Sequence, residues 1–120
     1  MTERRWRPTV AEVDLAAIRR NLLEMRRFFG PNTEIMAVVK ADAYGHGMLP
    51  VAGAALSAGA DWLGVAIAEE AIALRAGGFE CPILVLGHSE PAAAPELVKQ
   101  GISVTVFNPE GLMALQRAAS

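Results

Sequence analysis

The spacing of apolar positions divides the chain into two kinds of segment, helices and buried strands. From Asp14 onward, apolar residues recur every three or four positions until Gly30, which predicts a first helix that Asp14 caps and Gly30 ends. Ahead of this helix, residues 9–13 alternate apolar and polar in the manner of a strand. Continuous apolar runs, as expected for strands buried on both faces, lie at residues 35–39, 62–66 and 83–86, and residues 102–106 are predicted to form a fourth strand.

Helix-forming segments separate these apolar runs. They span residues 47–58, residues 68–76 and a stretch from Ser89 to near Gly101, and a further helix opens at residues 108–110. The strands end near Lys40, Val65, Leu86 and Val106, at intervals of 25, 21 and 20 residues. This alternation predicts an α/β fold in which helices pack against a parallel sheet.

Two architectures fit a repeated strand and helix. An open doubly wound sheet suits the length of 120 residues, whereas a (β/α)8 barrel typically needs about 250 residues. No Gly-x-Gly-x-x-Gly motif follows a strand, and this weakens the dinucleotide-binding form of the open sheet.

Composition and charge narrow the classes of function. The chain is 52% hydrophobic and 20% charged, as in a folded domain, and its net charge of −2 gives no reason to expect binding to nucleic acid or to an anionic membrane. The single cysteine, Cys81, excludes an intrachain disulfide, and no apolar stretch is long enough for a signal peptide or a membrane span. We therefore expect a cytoplasmic protein.

We expect no metal site, because the two histidines and the carboxylates lack the spacing of metal ligands. We also expect the arginines of the first helix, Arg26 among them, to be solvated.

The most informative segment is residues 37–47, AVVKADAYGHG, which sets Lys40 at the end of an apolar strand. Lysine resists full burial, and a lysine amine in an apolar setting loses its proton more easily than one in water. Because the neutral amine is the form that attacks a carbonyl, the pattern predicts a Schiff-base lysine. The alternative is a lysine that ends a strand and reaches solvent along its apolar stem.

A turn with additional donors follows this lysine. Tyr44 supplies a phenol hydroxyl, Gly45 and Gly47 permit unusual backbone, and a helix then begins. A strand end, a turn and a helix N-terminus together make an anion site. A lysine beside an anion site suits a phosphorylated carbonyl compound, either pyridoxal phosphate or the substrate of a sugar-phosphate aldolase.

Residues 37–47 resemble the pyridoxal-phosphate attachment motif of bacterial alanine racemases. Further stretches that are similar to this family lie at residues 7–15, 61–66, 69–71, 74–75 and 82–87. The resemblance implies that residues 1–120 are the N-terminal part of a cofactor-binding (β/α)8 barrel domain, with roughly the first half of the barrel present. The family's C-terminal β domain would be absent from this chain.

The resemblance also implies roles for individual residues. Lys40 would hold pyridoxal 5'-phosphate through a Schiff base and serve as one of two bases that exchange the α-proton of alanine. Tyr44 would contact the phosphate of the cofactor, and Val38 and Leu86 would pack near its ring. In the complete enzyme the product would be D-alanine for peptidoglycan.

The family's remaining catalytic parts have no match in this sequence. The second base of the family is a tyrosine from the other subunit of a homodimer, and the only tyrosine here is Tyr44. The arginine that faces the pyridine nitrogen would lie beyond Ser120. We therefore expect the chain to be an inactive fragment by itself. Three alternatives remain: a racemase of another amino acid such as serine, a non-catalytic pyridoxal-phosphate-binding protein of the same fold, and a truncated product without a stable fold.

Overall fold

A computed structural model describes residues 6–120 of the chain as a sheet with helices on one of its faces. In chain order the elements are α1 (Leu15–Phe29), β1 (Met36–Val38), α2 (Lys40–Tyr44), α3 (Met48–Ser57), β2 (Trp62–Val65), α4 (Ala68–Ala76), β3 (Ile83–Val85), a 3-10 turn (Pro91–Ala93), α5 (Ala94–Lys99), β4 (Ser103–Val104) and α6 (Pro109–Ala119).

The four strands form one parallel sheet in the order β1-β2-β3-β4. Each strand therefore pairs with the next strand in the chain, and helical segments make every connection. A doubly wound sheet would reverse its strand order at a switch point, whereas a barrel adds strands in one direction. The unreversed order confirms the prediction of a sheet that corresponds to the first half of a (β/α)8 barrel.

One face of this sheet forms the main core. Leu63 and Val65 of β2 lie opposite Ile83 and Val85 of β3, and all four side chains are fully buried beneath the helices. Continuous apolar runs predicted β2 and β3. Neighbouring strands and the covering helices exclude water from these two strands, and apolar side chains are therefore favoured along them. On the opposite face, which no helix of the described residues covers, Val38 keeps 51% of its surface exposed.

The first helix begins and ends where the sequence predicts. The Asp14 carboxylate accepts a hydrogen bond from the Ala17 amide at 3.1 Å, and Gly30 ends the helix at a φ of 79° that favours glycine. Leu22 of this helix packs with Ala55 and Ala58, so that α1 lies against α3.

The predicted strand at residues 9–13 is wrong. These residues have no strand pairing within the described part of the chain, and Val10 and Val13 are exposed. Alternating polarity describes a half-buried strand only where a neighbouring strand supplies hydrogen bonds, and none lies beside this segment among residues 6–120. The predicted helix from Ser89 is also shorter than expected, because a 3-10 turn precedes α5, which begins at Ala94.

Two arginines fasten the loops that lead into the strands. Arg26 donates from Nη2 to the Gly59 carbonyl at 2.7 Å and to Asp61 Oδ2 at 2.6 Å, and it also contacts the Thr33 carbonyl. The expectation that Arg26 is solvated is therefore wrong, since its long side chain reaches past the polar face of α1 to these loops.

Arg75 makes an equivalent clamp from α4. Its Nη1 donates to the carbonyls of Phe79 at 2.8 Å and Cys81 at 2.7 Å, and its Nε donates to the Gln100 carbonyl at 2.9 Å. Both arginines thus satisfy loop carbonyls at the amino ends of the strands. Across the described residues, no helix combines the length and the apolar character that crossing a membrane requires.

Candidate functional site

Lys40 lies at the carboxyl edge of the sheet, where β1 gives way to α2. The Val39 amide donates to the Gly64 carbonyl at 2.8 Å, and the Val39 side chain is fully buried. The residue before the lysine is therefore anchored to β2. Lys40 is only partly buried, and its amine makes no hydrogen bond or ion pair with any residue in the described range 6–120.

The backbone that follows Lys40 is left-handed, which sequence analysis did not predict. Ala41, Asp42, Ala43 and Tyr44 have φ values of 51°, 55°, 51° and 53°. Left-handed helical backbone costs L-residues about 1–2 kcal/mol each, and of these four only Asp42 belongs to a type that adopts it readily. Strain of this kind collects at functional sites, where surrounding contacts hold it in place.

Glu70 of α4 holds the start of this left-handed segment. We call the segment, together with the lysine that precedes it, the lysine turn (Lys40–Tyr44). The Oε2 of Glu70 accepts the Ala41 amide at 2.6 Å, while its Oε1 accepts the amides of Ala66 at 3.0 Å and Ile67 at 3.2 Å. Sequence analysis quoted Glu70 without giving it a role. A Glu near the start of a helix is a known capping signal, but nothing in the sequence connects it with Ala41.

Asp42 holds the other end of the lysine turn. Its Oδ1 accepts the Met48 amide, the first of α3, at 2.8 Å, and its carbonyl accepts the Gly47 amide at 3.0 Å. The predicted anion site at this helix N-terminus is therefore partly filled by the chain's own carboxylate. An anionic ligand at this helix N-terminus would therefore need donors other than the Met48 amide.

Tyr44 and Val38 share an open groove beside the lysine turn. The groove has an empty volume of about 490 Å³, and His46 lines it as well. Tyr44 is 73% exposed, and its hydroxyl has no partner among the residues that the structure describes. The groove thus offers a free phenol beside an apolar side chain.

Val38 and Leu86 belong to the same uncovered face of the sheet. Val38 lies opposite Gly64, which lies opposite Leu84, and Leu86 follows two residues later with 39% of its surface exposed. A Cβ at Gly64 would stand 2.7 Å from Met36 Sδ and 3.4 Å from Val38 Cγ2. Glycine at this position therefore leaves room for the Met36 side chain, which packs over it beside Val38.

Taken together, the predicted site residues lie at one edge and on one face of the sheet. The structure brings Val38 and Tyr44 to a common groove, whereas Lys40 and Leu86 are outside the lining of that groove. A free amine, a free phenol hydroxyl and exposed apolar side chains can accommodate a ligand with a carbonyl, an anionic group and a flat apolar ring.

The two histidines have local partners. His46 Nδ1 lies 2.9 Å from the Ala43 carbonyl, so its ring is held against the lysine turn. His88 Nε2 lies 3.4 Å from Glu90 Oε1, and its ring is 6.3 Å from that of Phe107. Within residues 6–120, no three His, Cys, Asp or Glu side chains are grouped in a way that could hold a metal ion.

Comparison with known proteins gives a consistent result. A family model, the alanine racemase N-terminal domain, matches residues 13–120. An alanine racemase of Geobacillus stearothermophilus is 55% identical over 106 residues, which are 88% of this chain and 27% of that protein. The chain spans less than a third of the length of the curated relatives it matches.

Solved structures agree with the sequence comparison. The structure of an alanine racemase of Clostridium difficile 630 in complex with cycloserine has a TM-score of 0.88 at 35% identity, over 96% of this chain and 32% of that one. A histidine racemase of Leuconostoc mesenteroides has a TM-score of 0.79 at 33% identity, over 87% of this chain and 28% of that one. The same sheet and helices therefore occur in racemases of different amino acids.

Proposed function

Since the chain belongs to the alanine racemase N-terminal domain family, we propose that the whole protein interconverts L-alanine and D-alanine with pyridoxal 5'-phosphate as its cofactor. The observation that carries this proposal is Lys40, whose unpartnered amine follows a strand anchored at Val39 and precedes a strained turn. The free amine, the Tyr44 hydroxyl and the apolar side chains of Val38 and Leu86 have the chemistry that this cofactor requires.

Each of these residues has a defined task in the proposed reaction. Lys40 Nζ carries the cofactor and also removes and returns the α-proton on one face of the substrate. The Tyr44 hydroxyl donates a hydrogen bond to the phosphate, and Val38 and Leu86 exclude water beside the ring. When bound, the cofactor supplies an electron sink for the charge left at the α-carbon.

Racemisation also needs proton exchange on the opposite face of the substrate. Tyr44, the one tyrosine of the chain, is already assigned to the phosphate. We therefore propose that a second base and a partner for the pyridine nitrogen come from outside residues 1–120, in a homodimer where the other subunit completes the site. The proposed setting is the cytoplasm, with D-alanine consumed in peptidoglycan synthesis.

The substrate could instead be another amino acid. The likeness to a histidine racemase supports this second candidate, because that enzyme shares the same half of the fold. Racemisation of L-alanine, L-serine and L-histidine by the natural gene product, followed by chiral chromatography, separates the candidates. Cofactor binding without turnover of any of the three would favour the non-catalytic pyridoxal-phosphate-binding protein instead.

The assignment of Lys40 has its own test, since the chain has only one other lysine, Lys99. We expect borohydride reduction of the cofactor-loaded protein to attach the cofactor to Lys40, as located by peptide mass mapping. In the natural gene product, Lys40→Ala should abolish turnover, because no other lysine of residues 6–120 lies at this edge of the sheet. Lys99→Ala is the matched control and should retain full activity, and an adduct on Lys99 would refute the assignment.

A further inference from the structure

The carboxylate of Glu70 does more than cap the helix to which it belongs. As the third residue of α4, it accepts the amides of Ala66 and Ile67 through Oε1, which is the glutamate half of a capping box. Ile67 has no polar side chain to make the other half. Capping therefore uses only one carboxylate oxygen and leaves Oε2 for a different partner.

That partner is the Ala41 amide, which lies 29 residues earlier in the chain and at the end of a different strand. The distance of 2.6 Å between the amide nitrogen and Oε2 marks a short, charge-assisted hydrogen bond. Glu70 consequently joins the carboxyl end of β1 to the loop between β2 and α4. The bond crosses the edge of the sheet next to Lys40.

Ala41 is the residue that directly follows Lys40, so the orientation of its amide bears on the direction of the lysine. The peptide plane between Lys40 and Ala41 carries this N–H, so the hydrogen bond to Glu70 sets the orientation of that plane. On the other side of Lys40, Val39 is buried and donates to the Gly64 carbonyl at 2.8 Å. Hydrogen bonds on both sides of Lys40 thus fix the position of its Cα. They also fix the direction in which its side chain leaves the backbone.

The strain in the lysine turn makes this hold necessary. Four successive left-handed residues are sterically unfavourable for L-amino acids, which favours relaxation of the turn to ordinary backbone. Relaxation of Ala41 to negative φ would change the orientation of the peptide plane after Lys40. Glu70 opposes that change at the first of the four residues, while Asp42 and its partners hold the later ones.

We propose that Glu70 is a positioning residue for Lys40: it keeps the lysine turn left-handed and so aims the amine at the cofactor without touching it. The inference rests on the proposed function for the role of Lys40. Its effect on the turn itself is a property of the protein without cofactor, and it can be measured there.

The natural gene product with Glu70→Gln tests the proposal, with Glu69→Gln as the matched control. Glutamine keeps the size of the side chain but replaces one accepting oxygen with an amino group, which cannot accept a hydrogen bond from a backbone N–H. Glu69 is the adjacent residue of the same helix, is exposed and has no partner in the described part of the chain. Both variants remove one negative charge from the same helix turn.

Two readouts are taken for each variant. In the cofactor-free protein, we expect the Ala41 amide to exchange its hydrogen about tenfold or more faster in Glu70→Gln than in Glu69→Gln. In a titration followed by absorbance, we expect the dissociation constant of pyridoxal phosphate to rise about tenfold in Glu70→Gln, since losing one hydrogen bond to a charged acceptor changes an equilibrium constant by about this factor or more. Glu70→Asp keeps the charge with a shorter reach, and it provides a second variant if Glu70→Gln does not fold.

The outcomes separate the two proposals. Unchanged exchange at Ala41 in both Glu70 variants, or faster exchange with unchanged cofactor affinity, would overturn the positioning role while the proposed function stands. If the unaltered protein fails to bind pyridoxal phosphate, the proposed function fails and the positioning role falls with it. Faster exchange at the Ala41 amide together with weaker binding of pyridoxal phosphate, seen in the Glu70 variants but not in Glu69→Gln, supports both proposals.

Discussion

Ala41, Asp42, Ala43 and Tyr44 adopt the same left-handed backbone, although alanine and tyrosine rarely do so. The turn is therefore maintained by side-chain hydrogen bonds, chiefly that of Glu70 to the Ala41 amide and that of Asp42 to the Met48 amide. Its strain can be measured by removing a single Cβ, since glycine adopts positive φ without steric cost.

We expect Ala41→Gly to stabilise the cofactor-free protein by up to about 1 kcal/mol, because Ala41 is exposed and loses only its strained Cβ. The matched control is Ala73→Gly at an exposed position inside α4, which should destabilise by about 1 kcal/mol. Urea denaturation measures both free energies of unfolding. Destabilisation of similar size in both variants would show that the turn is not strained at Ala41.

The residue scale is also where sequence analysis was weakest. Lys40 could be predicted as the Schiff-base lysine because its position, an apolar strand followed by glycines, is a local pattern. The left-handed turn could not, because alanine has no side-chain signal for it and its stabilising partner, Glu70, lies 29 residues away in the chain. Arg26 was misassigned for a similar reason, since helical periodicity describes where a side chain starts and not how far it reaches.

At the scale of elements, each of two helices fastens loops through an arginine, both the loop that follows the helix and a loop that leads into a later strand. Arg26 and Arg75 lie near the ends of α1 and α4, and each donates to carbonyls that have no strand partner. The core strands and most helix ends were predictable, because burial and caps such as Asp14 are local features. The strand expected at residues 9–13 was not observed, because pairing depends on a neighbour that the pattern does not reveal.

The Arg26 clamp is expected to depend on pH through Asp61. The Ile35 amide, and then Arg26, lower the pKa of this carboxyl group below its ordinary value of 3.8. Because the unfolded chain takes up the proton first as the pH falls, Asp61 contributes stability above about pH 3.8, and this contribution is lost as the pH drops through the lower pKa of the folded state.

We therefore expect Asp61→Asn to lower the stability at neutral pH and to make the decline of stability between about pH 5 and pH 2 shallower. Thermal unfolding over this range measures the effect. Glu80→Gln is the control, since Glu80 is exposed and has no partner among residues 6–120. If Asp61→Asn and the unaltered chain decline in parallel, the carboxylate does not stabilise the fold in this way.

At the scale of the whole molecule, the described chain is a slab. Its extents are 51 × 42 × 22 Å, and its radius of gyration of 16.6 Å exceeds the roughly 14 Å expected for a compact domain of this length. The smallest extent corresponds to one sheet with one layer of helices. The uncovered face bears Val38 and Leu86, the residues proposed to lie beside the cofactor, so the site is open in this chain.

We expect the 120-residue chain by itself to have no measurable alanine racemase activity, even with pyridoxal phosphate supplied. Its one tyrosine, Tyr44, is assigned to the phosphate, and no second base is available for the opposite face of the substrate. The natural gene product assayed in parallel is the positive control. Turnover of L-alanine to D-alanine by the purified chain would contradict this expectation.

The contact between Glu70 and Ala41 also has a consequence for the order of events during synthesis of the chain on the ribosome. Strands that pair with their chain neighbours can dock one after another as they emerge, so β1 has a partner once β2 has been made. The lysine turn, however, lacks its stabilising carboxylate until residue 70 has left the ribosome. A nascent chain halted before that point would carry Lys40 in relaxed backbone, and it would acquire a properly aimed amine only when α4 begins to form.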